Sequence, residues 1–355
     1  MMLGVGRDSE GTGMASSANV TGRPGLPVLV TGGAGYIGSH AVLALLDAGW
    51  RVVVLDNLET GFRAAVPDAA AFIEGDVGDP DIVGRTIAEH GIGAIMHFAG
   101  SVVVPESVSD PLKYYRNNTA NSRSLIEGAV KGGVRHFIFS STAATYGIPD
   151  AVPIAEDAPT RPINPYGMSK LMTEAMLADV AAAHPMNYMA LRYFNVAGAD
   201  PAGRSGQSTA GATHLIKVAV EAATGKRASV AVFGSDFATP DGTGVRDYIH
   251  VSDLADAHLR ALHALIDEPA RSRVLNCGYG RGFSVLEVLD AVDRVTGRKL
   301  ERVISPRRPG DPDRLVADNR RLLAELGWAP RHANLDGIVR DALAWERTLE
   351  QRPRA

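Results

Sequence analysis

The stretch Pro27-Val-Leu-Val-Thr-Gly-Gly-Ala-Gly-Tyr-Ile-Gly38 decides the fold of this chain. Its apolar residues predict a short buried strand, and the helical pattern Ala41-Val-Leu-Ala-Leu-Leu46 follows the glycines directly. The glycines Gly32, Gly35 and Gly38 have the spacing GxxGxxG, a variant of a nucleotide-binding fingerprint. Such glycines permit a tight turn, a close approach of backbone to a pyrophosphate and close packing of helix on strand. The helix that follows then points its partly positive N-terminus at the phosphates.

A carboxylate ends the next predicted strand, Arg51-Val-Val-Val-Leu-Asp56. At that place Asp56 can accept hydrogen bonds from the ribose hydroxyls of an adenosine. This favours NAD over NADP, because a 2′-phosphate would meet a negative charge. The alternative, a glycine-rich turn that binds no ligand, does not account for the order strand, helix, strand and Asp.

Apolar runs and helical patterns continue to alternate along the chain. Further strands are predicted over 71–74, 94–98 and 136–140, with helical segments between them. Strands separated by helices give a parallel sheet with right-handed crossovers. The predicted fold is therefore α/β, a Rossmann-type doubly wound parallel sheet with a smaller C-terminal lobe.

The regular alternation of predicted strands and helices ends after Asn195, and we divide the chain there. We expect residues 1–27 to be a disordered extension, or in part upstream codons before a start at Met14, and 350–355 to be a tail. Residues 28–193, rejoined by 245–278, are predicted to form the dinucleotide-binding domain. The ranges 194–244 and 279–349 are predicted to form the substrate-binding lobe.

Composition excludes several classes of protein. The chain has 355 residues, 45% hydrophobic and 21% charged, with a formal charge of −4, which gives no sign of nucleic-acid binding. Neither an apolar leader nor a run of about 20 apolar residues is present, so we expect a cytoplasmic protein without a membrane partner. The single cysteine, Cys277, fits a reducing compartment and a place in the core.

A phenol and an ammonium one helical turn apart mark the candidate catalytic centre. Tyr166 and Lys170 follow Asn164-Pro165, a typical helix start, so their side chains share one helix face. A tyrosine with a pKa of about 10 is a poor base at neutral pH, but a nearby ammonium and a positive nicotinamide ring both favour the phenolate. Thr142 adds a hydroxyl at the carboxyl end of a strand, where ligands bind in such sheets. Its alternative role is a strand-end cap.

Six further segments give the chain a resemblance to a known family. From about residue 28 to 345 it resembles the extended short-chain dehydrogenase/reductase superfamily and, within it, the UDP-glucose 4-epimerase family. The segments are His97-Phe-Ala-Gly100, Tyr114-Tyr-Arg-Asn-Asn118, Phe139-Ser-Ser-Thr-Ala-Ala-Thr-Tyr-Gly147, Leu191-Arg-Tyr-Phe-Asn-Val-Ala-Gly198, Gly242-Thr-Gly-Val-Arg-Asp-Tyr-Ile-His250 and Arg307-Arg-Pro-Gly-Asp311.

The resemblance implies reversible inversion at C4 of UDP-glucose and UDP-galactose through a 4-keto intermediate, with tightly bound NAD and no metal. Catalysis would fall to Tyr166, Lys170 and Thr142. The implied cofactor-binding residues are Gly32, Gly35, Tyr36, Ile37, Gly38, Asp56, Asn57, Asp76, Val77, Phe98, Ala99, Gly100, Asn117, Tyr166, Lys170 and Phe194. The implied UDP-sugar-binding residues are Thr142, Tyr166, Asn195, His214, Leu215, Ala231, Phe233, Arg246, Arg308 and Asp311.

The resemblance also implies a homodimer through helices near 113–132 and 169–183, although apolar residues there could equally belong to the core. Three positions depart from the family pattern. Thr142 stands where Ser is frequent and keeps the hydroxyl, whereas Val102 stands where many members have Lys, so one cofactor contact is expected to be missing. Leu315 stands where Tyr is frequent, which leaves discrimination between plain and N-acetylated sugars open.

Rival functions follow from the same motifs. An epimerase of UDP-N-acetylhexosamine, UDP-xylose or UDP-glucuronate stays open. A dehydratase or decarboxylase needs an acid/base pair where this chain has Ala143-Ala144, which argues against elimination. A non-catalytic NAD-binding protein would be expected to lack Tyr166 or Lys170, and both are present.

Overall fold

The computed structural model describes residues 25–308 and 310–351. The expected extension therefore lies, up to residue 24, outside the described residues, as does the tail after residue 351. The tail was expected from residue 350, but the last helix continues to Gln351. None of the helices in the described part combines the length and the apolarity that a membrane span requires.

Thirteen strands and eleven α-helices make up the described chain. The strands are β1 (Val28–Thr31), β2 (Val52–Asp56), β3 (Ala71–Glu74), β4 (Ala94–His97), β5 (His136–Thr142), β6 (Asn187–Tyr193), β7 (Asn195–Ala197), β8 (Val230–Phe233), β9 (Val245–His250), β10 (Arg273–Cys277), β11 (Gly282–Ser284), β12 (Arg302–Ser305) and β13 (Arg314–Leu315). The helices are α1 (Tyr36–Asp47), α2 (Pro80–His90), α3 (Val104–Ser109), α4 (Pro111–Tyr114), α5 (Asn121–Lys131), α6 (Pro165–Ala183), α7 (Leu215–Ala223), α8 (Val251–Asp267), α9 (Val285–Thr296), α10 (Arg320–Leu326) and α11 (Leu335–Gln351).

Seven strands form one parallel sheet in the order β10-β6-β5-β4-β1-β2-β3. The chain winds outwards from β1 in both directions, so the order reverses between β1 and β4. In sheets of this kind ligands bind at that switch point, beyond the carboxyl ends of the strands. The predicted fold class is confirmed.

Helices cover both faces of this sheet. The side chains of Val28 and Val30 belong to a core shared with α1 and α8, whereas Leu29 belongs to a core shared with α2, α5 and α6. Successive strand residues point to opposite faces, so a strand buried on both sides must be continuously apolar. The apolar run in the opening stretch meets this requirement. Cys277 is fully buried, as expected for a core residue.

The C-terminal lobe carries smaller sheets. β9 pairs with β7, β11 and β13, and β8 pairs with β12. Helices α7, α9 and α11 pack together behind them around a separate apolar core. Of the segment expected to rejoin the large domain, residues 245–278, α8 and β10 do so, whereas β9 lies in the smaller sheet because its partners β7, β11 and β13 all lie outside the seven-stranded one.

Candidate functional site

The glycine loop lies between β1 and α1 at the switch point. Gly32 has a φ of +71°, and a Cβ there would lie 2.6 Å from the backbone nitrogen of Ala99. A Cβ on Gly38 would lie 2.1 Å from the carbonyl oxygen of Gly32. The two glycines thus let the loop rest on the end of β4 and let α1 pack directly on the loop. Gly35 is the N-cap residue of α1.

Two residues of the motif begin α1 itself. Tyr36 and Ile37 are half-buried, and the Tyr36 hydroxyl donates a hydrogen bond to the carbonyl oxygen of Gly198 at 2.7 Å. The Tyr36 ring therefore joins the glycine loop to the segment that leads into the C-terminal lobe.

Asp56 lies at the end of β2 with its carboxylate facing the loop. Its Oδ2 accepts the backbone N–H of Ala34 and its Oδ1 that of Leu58, each at 2.9 Å. A carboxylate has about four acceptor positions, so two remain for ligand hydroxyls. Beside it, Asn57 donates to Asp76 at 3.1 Å.

Asp76 and Val77 follow β3 at the same edge. Asp76 also accepts hydrogen bonds from Asn121 at 2.9 Å and from the backbone of Gly78 at 2.7 Å. Val77 is buried below. Beyond the ends of β2 and β3 the structure therefore brings together four predicted cofactor-binding residues: Asp56, Asn57, Asp76 and Val77.

A second group of predicted cofactor-binding residues involves a π-helical stretch, Tyr115–Ala120, between α4 and α5. Its Asn117 donates to the Ser101 hydroxyl at 3.0 Å, and the side chain of Asn118 bonds both the N–H and the carbonyl of Ser101. Gly100 has a φ of +150°, and a Cβ there would lie 2.8 Å from Asn118 Oδ1. Asn118 was missed by the sequence reasoning, and its place next to Asn117 was the available signal.

Tyr166, Lys170 and Thr142 come together at the carboxyl end of β5. Asn164 caps α6 by accepting the N–H of Gly167 at 2.8 Å, which places the catalytic face of the helix over the strand. Lys170 Nζ donates to the carbonyl oxygen of Ser140 at 3.1 Å. The Thr142 hydroxyl lies close enough to the Tyr166 phenol to lower its pKa and accepts the N–H of Ala144 at 3.1 Å, so Thr142 is both a neighbour of the phenol and a strand-end cap.

Burial dominates the electrostatics of this centre. It raises the pKa of Tyr166, and the hydrogen bond from Thr142 opposes that rise. Burial also lowers the pKa of Lys170 to about 8. The expected lowering of the Tyr166 pKa by Lys170 stays a prediction. A further positive charge beside the ring would favour the phenolate.

A neutral histidine lies below the centre. His97 bonds the Thr31 hydroxyl through Nδ1 at 2.7 Å and the Ser122 hydroxyl through Nε2 at 2.8 Å. Burial, with the nearby Lys170 charge, lowers the pKa of His97 to about 3. It thus ties the start of the glycine loop to α5 without adding a second cation. Phe98, next in sequence, lies 4.8 Å from the His258 ring, between ring centroids.

The C-terminal lobe carries the two predicted arginines. Arg246 of β9 pairs with Asp311 at 2.5 Å, and the Arg308 guanidinium lies 4.0 Å above the Phe233 ring. Ala231 lies two residues before Phe233 on β8. The structure therefore brings the predicted arginines, Asp311 and the β8 residues into one part of the lobe.

The remaining predicted substrate residues line a small cavity within the C-terminal lobe. Asn195 begins β7, and His214 and Leu215 begin α7; all three face this cavity with Tyr248. Gln207 approaches His214 Nδ1 at 2.8 Å and was not predicted from sequence.

An apolar cluster lies beside Thr142. Buried Ala143, Tyr146 and Ile154 pack with half-buried Phe194 and Leu315. Ala143 and Ala144 offer no proton donor next to the catalytic residues. Val102, two residues after Gly100, is 49% exposed.

One group of possible metal ligands occurs in the described residues: His250, His332 and Asp341, with ligand atoms within 4.8 Å of one another. His250 Nδ1 accepts the N–H of Ser252 at 3.0 Å, which assigns the ring proton to Nε2. That atom lies 3.2 Å from Asp341 and donates to it. Because a metal needs a lone pair on this nitrogen, we interpret the group as hydrogen-bonded.

The switch-point glycine loop and the Tyr–Lys helix define a dinucleotide-dependent enzyme of the Rossmann class. Residues 28–278 match the family model of the NAD dependent epimerase/dehydratase family. A UDP-glucose 4-epimerase of Azospirillum brasilense is 58% identical over 324 residues, which cover 91% of this chain and 93% of the relative. The chain belongs to this family and, within it, to the UDP-glucose 4-epimerases.

Solved structures agree with this assignment. The UDP-glucose 4-epimerase of Bifidobacterium longum, in complex with NAD⁺ and UDP, has a TM-score of 0.85 and 39% identity over 91% of this chain and 98% of that one. The UDP-Glc/GlcNAc 4-epimerase of Campylobacter jejuni has a TM-score of 0.80 and 45% identity over 91% of this chain and 100% of that one.

Proposed function

We propose that the protein interconverts UDP-glucose and UDP-galactose by inversion at C4, with tightly bound NAD. The observation that carries the proposal is the meeting of Tyr166, Thr142 and Lys170 at the carboxyl end of β5, beside the glycine loop. Galactose metabolism and the supply of UDP-galactose are the corresponding physiological roles.

The residues present fit a dinucleotide. Gly32 and Gly38 keep the loop free of Cβ atoms, and the carboxylate of Asp56 retains acceptor positions for ribose hydroxyls. When bound, NAD supplies hydride acceptance from C4 and hydride return to the opposite face of a 4-keto sugar. Residues from Gly32 to Val77 would hold the adenosine and pyrophosphate, and those from Phe98 to Phe194 the nicotinamide half.

The protein's own part in the chemistry is proton transfer. Tyr166 as phenolate accepts the proton of the 4-hydroxyl, and Thr142 orients both groups through its hydroxyl. Lys170, on the same face of α6 as Tyr166, would donate to the nicotinamide ribose. The phenol of Tyr166 would ionise more readily beside the positive charge of a bound nicotinamide ring.

The charged and the apolar side chains of the site indicate how the nucleotide and the sugar of the substrate would be held. Arg246 and Arg308 suit the two phosphates of UDP, because guanidinium forks bind phosphate oxygens in pairs. The sugar would lie against Ala143, Phe194 and Leu315, which offer no hydrogen bonds from their side chains. A nucleotide held firmly and a sugar held loosely let the 4-keto intermediate turn over in place.

A second substrate class, UDP-N-acetylhexosamine, is supported by Leu315. Leucine lacks the ring and hydroxyl of tyrosine, so the pocket next to Tyr146 has more room. The Campylobacter jejuni relative named above is described as acting on both Glc and GlcNAc forms. UDP-xylose and UDP-glucuronate have no comparable support.

We also propose a cytoplasmic homodimer. Of the apolar residues on the two candidate helices, Leu125, Ile126 and Leu177 lie in the core. Met172 is 40% exposed and Leu112, on the preceding α4, is 76% exposed, which supports an interface there. Light scattering of the purified protein tests the dimer, and Met172→Lys with Leu112→Lys should yield monomers. The buried, unpaired Cys277 agrees with a reducing compartment.

The decisive experiment is conversion of UDP-galactose to UDP-glucose by the purified protein without added cofactor. Tyr166→Phe should lower kcat by about 10²- to 10⁴-fold while NAD stays bound. Tyr188→Phe, a change on the early part of β6, is the control and should leave kcat unchanged. Folded protein that carries NAD but converts nothing would reject the proposed reaction, and near-normal turnover by Tyr166→Phe would remove Tyr166 from its role.

A further inference from the structure

The residues between β12 and β13 carry two of the candidate nucleotide ligands but form neither helix nor strand. This 306–313 segment, of which Pro309 lies outside the described residues, contains Arg308 and Asp311. It is anchored at its ends by backbone hydrogen bonds, from Gly234 to Ser305 at 2.8 Å and from Val245 to Asp313 at 2.9 Å. Between these anchors, side chains must hold it.

The Arg246–Asp311 pair and the contact of Arg308 with Phe233 contribute to this, and Arg307 makes further contacts that join the ends of the segment. Its guanidinium lies 3.8 Å above the ring of Phe237, and its Nη2 pairs with Asp313 at 2.9 Å, which joins the two ends of the segment. Asp236 lies 3.9 Å from its Nε. Phe237 is 4% exposed, so the ring is a fixed platform.

Gly234 leaves room for the stem of Arg307. Gly234 has a φ of +85°, and a Cβ there would lie 2.5 Å from Arg307 Cγ and 2.5 Å from Phe237 Cε2. Any side chain at this position would push the arginine off the ring. The next residue, Arg308, stacks on Phe233 instead, at 4.0 Å. The two consecutive arginines are thus held on two phenylalanines that flank Gly234 at positions 233 and 237.

We propose that Arg307 is a positioning residue for the nucleotide. It does not touch the ligand; it fixes the 306–313 segment so that Arg308 and Asp311 face the diphosphate and ribose of a nucleoside diphosphate sugar. This inference rests on the proposed function, because it takes UDP as the ligand of Arg308. Asp236 and Asp313 offset the positive charge of Arg307, so Arg307 acts on the ligand through the position of the segment and not by direct attraction.

The test compares the holoenzyme with Arg307→Met and Arg307→Lys. Loss of a cation–π contact and an exposed ion pair should raise the KM for UDP-galactose and the Kd for UDP about three- to tenfold in Arg307→Met, with kcat within about twofold. Arg307→Lys keeps the charge over Phe237 and should restore most of the affinity. Arg294→Met, which breaks an exposed pair with Asp336 in the same lobe, is the matched control and should leave KM unchanged.

A double-mutant cycle separates positioning from direct attraction. In an Arg308→Met background, Arg307→Met should have a smaller effect on UDP binding, because only Asp311 remains for Arg307 to position. An unchanged KM in Arg307→Met, or an equal loss of affinity in both backgrounds, would overturn the proposal. Failure of the unmodified protein to bind UDP would instead reject the proposed function.

Discussion

Glu174 and Arg192 form a buried ion pair immediately behind the catalytic side chains. Arg192 Nη2 lies 2.6 Å from Glu174 Oε2, and both side chains are less than 10% exposed. Glu174 follows Lys170 by one helical turn on the same face of α6. Its carboxylate also accepts a hydrogen bond from the hydroxyl of Ser141, which precedes Thr142. The pair therefore fixes the catalytic helix against β5 and β6.

Breaking this pair should be costly. Glu174→Gln would leave the Arg192 charge buried without a counter-charge, so we expect the free energy of unfolding to fall by about 3 to 5 kcal/mol. Urea unfolding measures the change. Glu127→Gln, in an exposed pair with Lys131, is the control and should lower the free energy of unfolding far less. A loss at Glu174 no larger than at Glu127 would mean that the pair does not fix the helix.

The shifted pKa of Lys170 should make stability depend on pH. Its pKa is about 8 in the folded protein and about 10.4 in an unfolded chain. The unfolded chain binds this proton more strongly, so the group lowers stability below pH 8, and the effect fades as the pH rises towards about 10. In cofactor-stripped protein, Lys170→Met should raise the free energy of unfolding by up to about 3 kcal/mol at about pH 7. Urea unfolding at two pH values checks this, and a gain that is equal at about pH 7 and about pH 9.5 would contradict it.

The glycine loop offers a prediction on cofactor retention. Gly38→Ala would place a Cβ 2.1 Å from the Gly32 oxygen, so α1 must move away from the loop. We expect the NAD content of the purified protein to fall at least about fivefold, given a packing cost of about 1 to 3 kcal/mol. Gly84→Ala is the matched control, because a Cβ at that site in α2 meets no atom within 4 Å. Full NAD content in Gly38→Ala would refute the steric argument.

Leu315 should set the range of sugars. Leu315→Tyr adds volume next to Tyr146 and Phe194, so turnover of UDP-N-acetylglucosamine should fall well below that of the unmodified protein, while turnover of UDP-galactose changes little. Parallel assays of the two substrates give the ratio of kcat/KM values. An unaltered ratio would show that Leu315 does not limit the pocket.

Local patterns were sufficient to predict the elements of the fold. β1 lies within the predicted apolar run 27–31, and α9 covers the amphipathic segment 285–296, because an apolar run and a 3.6-residue period are properties of the segment itself. The capping box formed by Ser284 and Glu287 fixes the start of α9 for the same reason. The four-residue spacing of Tyr166 and Lys170 was likewise sufficient to predict that their side chains share one helix face.

Contacts between distant residues could not be predicted. Asn118 contacts Ser101 and Ser169, and His97 contacts Thr31, across separations that carry no periodic signal. The same holds for the pairing of β9, since several sheet edges compete for an apolar strand. The roles of individual site residues towards NAD and UDP stay predictions.

The neutral state of His97 makes this one residue insensitive to pH. Because burial lowers its pKa to about 3, the imidazole stays unprotonated at pH values well above that and does not respond when the surrounding medium becomes mildly acidic. Thr31 and Ser122 then keep their bridge to that ring throughout. Changes of the surrounding pH well above this value would thus leave the electric potential contributed by His97 constant.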